Sequence, residues 1–452
     1  MNDWARNTAL ANARATLSST HELVRVIRSA GTEVGELSIA PRQAKELSRF
    51  LDAHRQAVQA LLERAESVAG ADELSMQGLV ARQADLERAH SFVQSAFIDP
   101  RRSKEERQSL EAADWMCVEG FLRFVEPENG PIGPLVAVDP MRSPAVWDPG
   151  TSLPLPSLFR KQPEKLDREA NPEESDRVLD YFPVVCLPSN LARSPEFYPL
   201  LSHEVGHAVD STLGWSGEIL RKLSASKLRD FWQSWMREML ADFVGLAVSG
   251  EAFALALHGY VRYMGVTREI TAASSYPGIE LRLAMLRDAI AKYDRGDCPV
   301  ARLLDDRLNK AGEFSKEGKK LRTAYLKDVL PVLEQTLKFT PEAWQNEQTQ
   351  TEELAGKLGR GAADTKADLP TRPLPFPLYS SAVALAKLES EQLDSLDVFR
   401  RLHTHAADLH RPDWVQSPSV WEFSVKTIPT LRPTLLASDG ETKVPPKELL
   451  VY

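Results

Sequence analysis

The chain has 452 residues, a net charge of −9 at pH 7 and a sequence pI of about 5.6, which excludes the concentrated positive surface that nucleic acid binding requires. Its 43% apolar and 26% charged residues match an ordinary globular protein with room for two or three domains. It contains no run of about 18 apolar residues and no basic-then-apolar leader, so no membrane span and a cytoplasmic location are expected.

The first 99 residues read as helices. Leu10, Leu17 and Val24 recur at steps of seven, and from Pro41 the series Leu47, Leu51, His54, Val58, Leu61, Ala65, Val68 alternates steps of four and three. That is the seam of a coiled-coil-like hairpin, broken at Gly70 and Asp72 before a third helix that runs to about Phe97. His54 in the seam reads as a core histidine. The bundle suggests an interaction surface for a protein partner and carries no chemistry. A basic stretch (Arg101, Arg102, Lys104) then leads into an amphipathic helix through Trp115 and Phe121.

Prolines and glycines punctuate 127–163, with Leu135–Asp139 and Ala145–Trp147 as short strands. Residues 160–176 are charged and almost free of large apolar groups, which reads as an exposed loop, placed where a lid would sit. Tyr181–Pro188 is the best strand. Ser194-Pro195-Glu196 is a helix-start signal, with Pro199 a second start one turn later.

The helix that follows holds His203-Glu204-Val205-Gly206-His207 and ends near Gly214. Histidines at i and i+4 share a helix face and can grip one metal ion, and Glu204 can reach a water on that ion. Asp210, three residues after His207, is a second-shell acceptor or a rival ligand. Downstream, Glu238 and Asp242 lie four apart on an otherwise apolar helix, where carboxylates are costly to bury unless paired or metal-bound. A catalytic zinc takes three protein ligands, so Glu238 supplies the third, and Asp242 accepts the free ring N–H of a ligand histidine.

His-Glu-x-x-His followed by Glu-x-x-Ala-Asp resembles the gluzincin group of zinc metallopeptidases, over about residues 180–290. The resemblance implies a mainly α (α+β) zincin-like domain with a small mixed sheet beside the active helix. It also implies Zn2+ on His203, His207 and Glu238, with Glu204 as general base. On the same resemblance, the strand at 181–188 offers its edge to an extended peptide substrate. Ser274–Leu283 is similar to the His-Pro-x-x-x-x-Arg segment of some gluzincins, with Tyr276 where those have His and Arg282 in place of their Arg. The next helix, Glu251 to about Gly265, carries His258. Tyr276, His258 and Arg282 are therefore the candidates for stabilising an oxyanion.

Residues 300–340 read as amphipathic helix, 359–377 as a Pro-rich linker, and about Ser380 to Leu409 as one helix ending in His403, His405 and His410. Cys117, Cys186 and Cys298 form no Cys-x-x-Cys pair or disulfide framework and read as buried thiols. The expected organisation is a helical bundle over 1–125, a zincin-like domain over 126–300 and a helical extension over 301–452. The expected function is selective cytoplasmic peptide hydrolysis. Two other readings fit the same residues: a zinc-bound scaffold closed by a fourth ligand such as Asp210, and a hydrolase of a non-peptide amide.

Overall fold

A computed structural model describes residues 3–30, 39, 41–67, 73–125, 133–139, 144–147, 183–264, 277–294, 298–360, 369–370, 374–390 and 392–414. The chain is mainly helical around one small mixed sheet. None of its described helices is long and apolar enough to cross a membrane.

Helices α1 (Asp3–Ala30), α2 (Pro41–Ser67) and α3 (Glu73–Val93) pack on one another as a bundle. Leu10, Leu17, Val24, Leu47, Leu51, Val58 and Ala65 are all buried, as their spacing requires, with Leu62 buried beside the half-buried Leu61. His54 sits edge-on to Phe50. A π turn, Gln94–Ile98, carries the chain to α4 (Lys104–Leu122), whose first turn is capped by Ser103 accepting from the Glu106 N–H at 3.1 Å.

Strands β1 (Leu135–Asp139), β2 (Ala145–Trp147) and β3 (Val184–Pro188) form a sheet in the order β1-β3-β2, with β3 parallel to β1 and antiparallel to β2. β3 is therefore the central strand, not the edge. Its five residues are all buried, and the continuous apolar run Val-Val-Cys-Leu marks a strand covered on both faces. Leu135, Ala137, Val184 and Cys186 face the bundle core, whereas Val136, Val185 and Leu187 face the main helical core. Arg101, fully buried, pins this junction: it donates to Asp114 at 2.8 Å, Val136 O at 2.9 Å and Phe97 O at 3.1 Å.

The main core is built by α4 with α5 (Leu201–Leu213), α6 (Trp215–Lys222), α7 (Arg229–Ser249), α8 (Glu251–Met264), α9 (Ile279–Tyr293) and α10 (Pro299–Ala311). It continues through α11 (Lys316–Ala324), α12 (Leu330–Leu337), α13 (Pro341–Gly359), α14 (Phe376–Glu389) and α15 (Ser395–Trp414). The last two replace the single helix expected over 380–409. The break is local chemistry: Asp394 accepts the Asp397 N–H at 3.1 Å and so starts a new helix. The 160–176 loop, Tyr276 and much of the 359–377 linker lie outside the described residues.

The C-terminal helices buttress the end of α7. Arg123 pairs with Glu347 at 2.9 Å, both buried, and Trp344 Nε1 donates to Leu246 O at 3.0 Å. Glu119 accepts the Phe376 N–H at 2.6 Å. Burial pushes the Glu119 carboxyl up to about 7, against the pull of that N–H and of Arg123. A carboxyl raised on folding binds more protons in the native state, so stability falls as pH rises from about 4.5 to 7, and the full cost stands above that window. Glu119→Gln keeps the carbonyl acceptor and removes the titration. It is expected to raise stability at pH 8 by on the order of 2 kcal/mol and to leave it nearly unchanged at pH 4. Urea denaturation at both pH values checks this, and an equal change at both would contradict it.

Candidate metal centre

The 3-10 turn Pro195–Leu200 delivers the chain into α5, and Gly214, at φ +67°, ends that helix by donating to Asp210 O at 2.7 Å. Within α5, His203 and His207 lie one turn apart, their rings edge-to-face at a centroid separation of 4.7 Å. α7 packs across this face. The approach is close because Gly206 meets Ala241: a Cβ on Gly206 would stand 2.6 Å from the Ala241 Cα. Beside that contact, Glu238 about one turn before Ala241 and Asp242 next to it reach the histidines.

The donors converge. His203 Nε2 lies 3.2 Å from His207 Nε2 and 3.4 Å from Glu238 Oε2, and His207 Nε2 lies 3.3 Å from Glu238 Oε1. Tetrahedral zinc with bonds of about 2.0–2.1 Å separates its N and O donors by roughly 3.3–3.4 Å. The two imidazole nitrogens and the Glu238 carboxylate, one oxygen facing each ring, are therefore spaced as donors to such an ion are. Glu238 Oε2 is buried and accepts no hydrogen bond among the described residues, which leaves a lone pair directed at the same place.

Behind the donors stands a second layer. His203 Nδ1 lies 2.9 Å from Asp242 Oδ1, which fixes the tautomer that frees Nε2 for a metal. Arg282, from the first turn of α9, donates Nε to Asp242 Oδ2 at 2.8 Å and Nη2 to Oδ1 at 2.5 Å, and its Nη1 is 3.8 Å from Glu238 Oε2. Phe253 of α8 stacks parallel to His203 at 6.2 Å between centroids. Neither the Asp242–Arg282 fork nor Phe253 follows from the motif. The only sequence signal for the fork is the placement of Arg282 after Pro277.

Charge follows this geometry. Burial disfavours the charged His203 ring, but Asp242 and Glu238 outweigh it and push its pKa up to about 10 in the metal-free protein. Burial would raise Glu238, yet the two histidines and Arg282 hold it far below the usual carboxylate range. Asp242 is likewise held low, burial being overcome by Arg282 and His203. Glu204 moves the other way: buried, it is raised by desolvation despite His203 and His207. Two carboxylates are thus held low beside the donors, while desolvation raises the third.

The other predicted residues fall elsewhere. Asp210 accepts the Ser216 N–H at 2.7 Å, starting α6, and pairs with Arg237 at 3.3 Å; it is not in the donor cluster. His258 of α8 is also outside the cluster, its imidazole pKa lowered by burial and by Arg307 and Arg262. Tyr276 lies outside the described residues. His405 contacts Pro370 O at 2.8 Å and His403 sits 3.9 Å from Glu111, so neither belongs to a cluster of metal donors among the described residues. No protein-family model, curated protein or solved structure matches this chain.

Proposed function

We propose that the chain is a zinc-dependent peptide hydrolase of the gluzincin type, with a zincin-like core. The observation that carries this reading is the convergence of His203, His207 and Glu238: the two Nε2 atoms lie 3.2 Å apart and each is 3.3–3.4 Å from one oxygen of the Glu238 carboxylate, close to the donor spacing around a tetrahedral zinc. With Asp210 engaged by Ser216 and Arg237, three protein donors leave one corner for water, as catalytic rather than structural zinc requires. That favours an enzyme over the zinc-bound scaffold.

Zinc, when bound, supplies a water with a pKa of about 7 and an electrophile for the scissile carbonyl. The chain's own residues do the rest. His203, His207 and Glu238 hold the ion, and Asp242, itself fixed by Arg282, orients His203. Glu204 takes the proton of the attacking water and passes it to the leaving nitrogen. Arg282 is committed to Asp242, so it contributes by holding the ligand shell. β2 packs against α5 and is an outer strand of the sheet, so an extended peptide would pair there by strand addition.

Metal content measured by mass spectrometry tests the ligand set. Wild type is expected to carry one zinc in this centre, and Glu238→Ala to lose it or hold it at least about tenfold more weakly. Zinc held as tightly by Glu238→Ala would remove Glu238 from the site.

A further inference from the structure

About half a turn past the end of α7, a second group of metal-ligating side chains comes together from three elements. Glu251 opens α8, Asp294 follows the last turn of α9, and Cys298 is the N-cap of α10. One ligand atom from each lies within 4.8 Å of the others. Glu251 is 2% exposed and Cys298 6%. The Glu251 carboxylate is hydrogen-bonded by the Cys298 thiol, and the charged groups that act on it are Glu352 and Asp294, both acidic. No lysine, arginine or histidine among the described residues pairs with it. A carboxylate this deeply buried among acids, with a thiol for its only side-chain donor among the described residues, calls for a cation or a bound proton. Burial raises Glu251 to about 7 and holds the Cys298 thiol well above its ordinary value.

We propose that Cys298, Glu251 and Asp294 form a second metal site that takes a zinc-type divalent ion and clips the start of α8 to the end of α9 and the start of α10. The donor set selects the ion. Magnesium and calcium take oxygen donors, whereas a thiolate with carboxylates suits zinc and its softer congeners. Binding displaces the thiol proton, and the Glu251 proton where present, to solvent; no bond other than S–H and O–H is broken and nothing is oxidised. The clip lies on the helix that supplies Phe253 beneath His203, so it would steady the ring stack behind the first centre. The site stands on its own residues and does not depend on the hydrolase reading.

Cadmium distinguishes the two centres in the intact chain. The first offers only nitrogen and oxygen, so thiolate-to-cadmium charge-transfer absorption reports on the second alone; Cys117 and Cys186 are fully buried at other places in the core. Titration of wild type with Cd2+ is expected to give that absorption and two ions per chain. His203→Ala should keep the absorption and bind one ion. Cys298→Ser should lose it and also bind one, while remaining folded, because a serine hydroxyl can accept the Ala301 N–H that now donates to Sγ at 3.3 Å. Glu251→Gln, nearly isosteric, should weaken cadmium at this site at least about tenfold with an unchanged circular dichroism spectrum. Absence of the absorption in wild type, its survival in Cys298→Ser, or full affinity in Glu251→Gln would each overturn the proposal. A cluster held neutral by protons alone gives the first of these results.

Discussion

Glu204→Gln is expected to bind zinc as wild type does and to lose peptide hydrolysis by at least about 10²-fold, the lower end of what a positioned acid–base group contributes. The two halves of this result come from different atoms. Zinc would be held by His203, His207 and the Glu238 carboxylate, none of which the substitution touches. Glutamine has nearly the shape of glutamate, so the buried position beside Val205 and Gly206 stays filled. What disappears is the group that accepts a proton. The amide can hydrogen-bond a water but cannot take its proton or hand one to the leaving amine. A set of unrelated proteins, with cleavage followed by peptide mass spectrometry, supplies the substrate without knowing the natural one. Cleavage by Glu204→Gln at the wild-type rate would remove the general base and with it the mechanism. Loss of zinc in the same variant would instead assign Glu204 to the metal shell.

The grouping of His203, His207 and Glu238 was legible in the sequence because the residues that carry it are dense and local. His203 and His207 are bound by helix geometry to share a face. Glu238 and Asp242 stand out as carboxylates among Trp232, Trp235, Met236, Leu240 and Phe243 of the same helix, all buried. The end of the helix that carries His203 and His207 was legible for the same reason: Gly214 marks it through a φ preference that acts within a few residues. Long-range pairing was not. Nothing in Val184–Pro188 says which neighbours it takes, and the edge position that the resemblance implied for this strand is overturned by its pairing with both β1 and β2. Cys298 read as an inert buried thiol because Glu251 lies 47 positions earlier; only the packing of α8 on α9 and α10 brings them together. Arg282 was placed near the site for its charge, but its two-point grip on Asp242 depends on where α9 docks.

Gly206→Ala should destabilise the protein by about 1–3 kcal/mol and lower its zinc affinity at least tenfold, although alanine is the better helix former. Two effects compete. In a helix interior, alanine gains roughly 1 kcal/mol over glycine from backbone entropy. Against this, the new methyl group would stand 2.6 Å from the Ala241 Cα and 3.1 Å from its carbonyl oxygen. Those are backbone atoms, so no rotamer change relieves the overlap and α5 must move away from α7. His203 and His207 ride on one of these helices and Glu238 and Asp242 on the other, so separation opens the donor distances that now match zinc. The packing term is expected to win because it acts on the tightest contact between the two helices that build the centre. Gly217→Ala is the control: it also lies in a helix, but nothing stands within 4 Å of its added Cβ. It should be neutral or stabilising by up to about 1 kcal/mol, with full zinc. Thermal unfolding of the two variants, each with and without zinc, separates the terms. A Gly206→Ala protein as stable as wild type and fully loaded would mean that the α5–α7 spacing does not set the metal geometry.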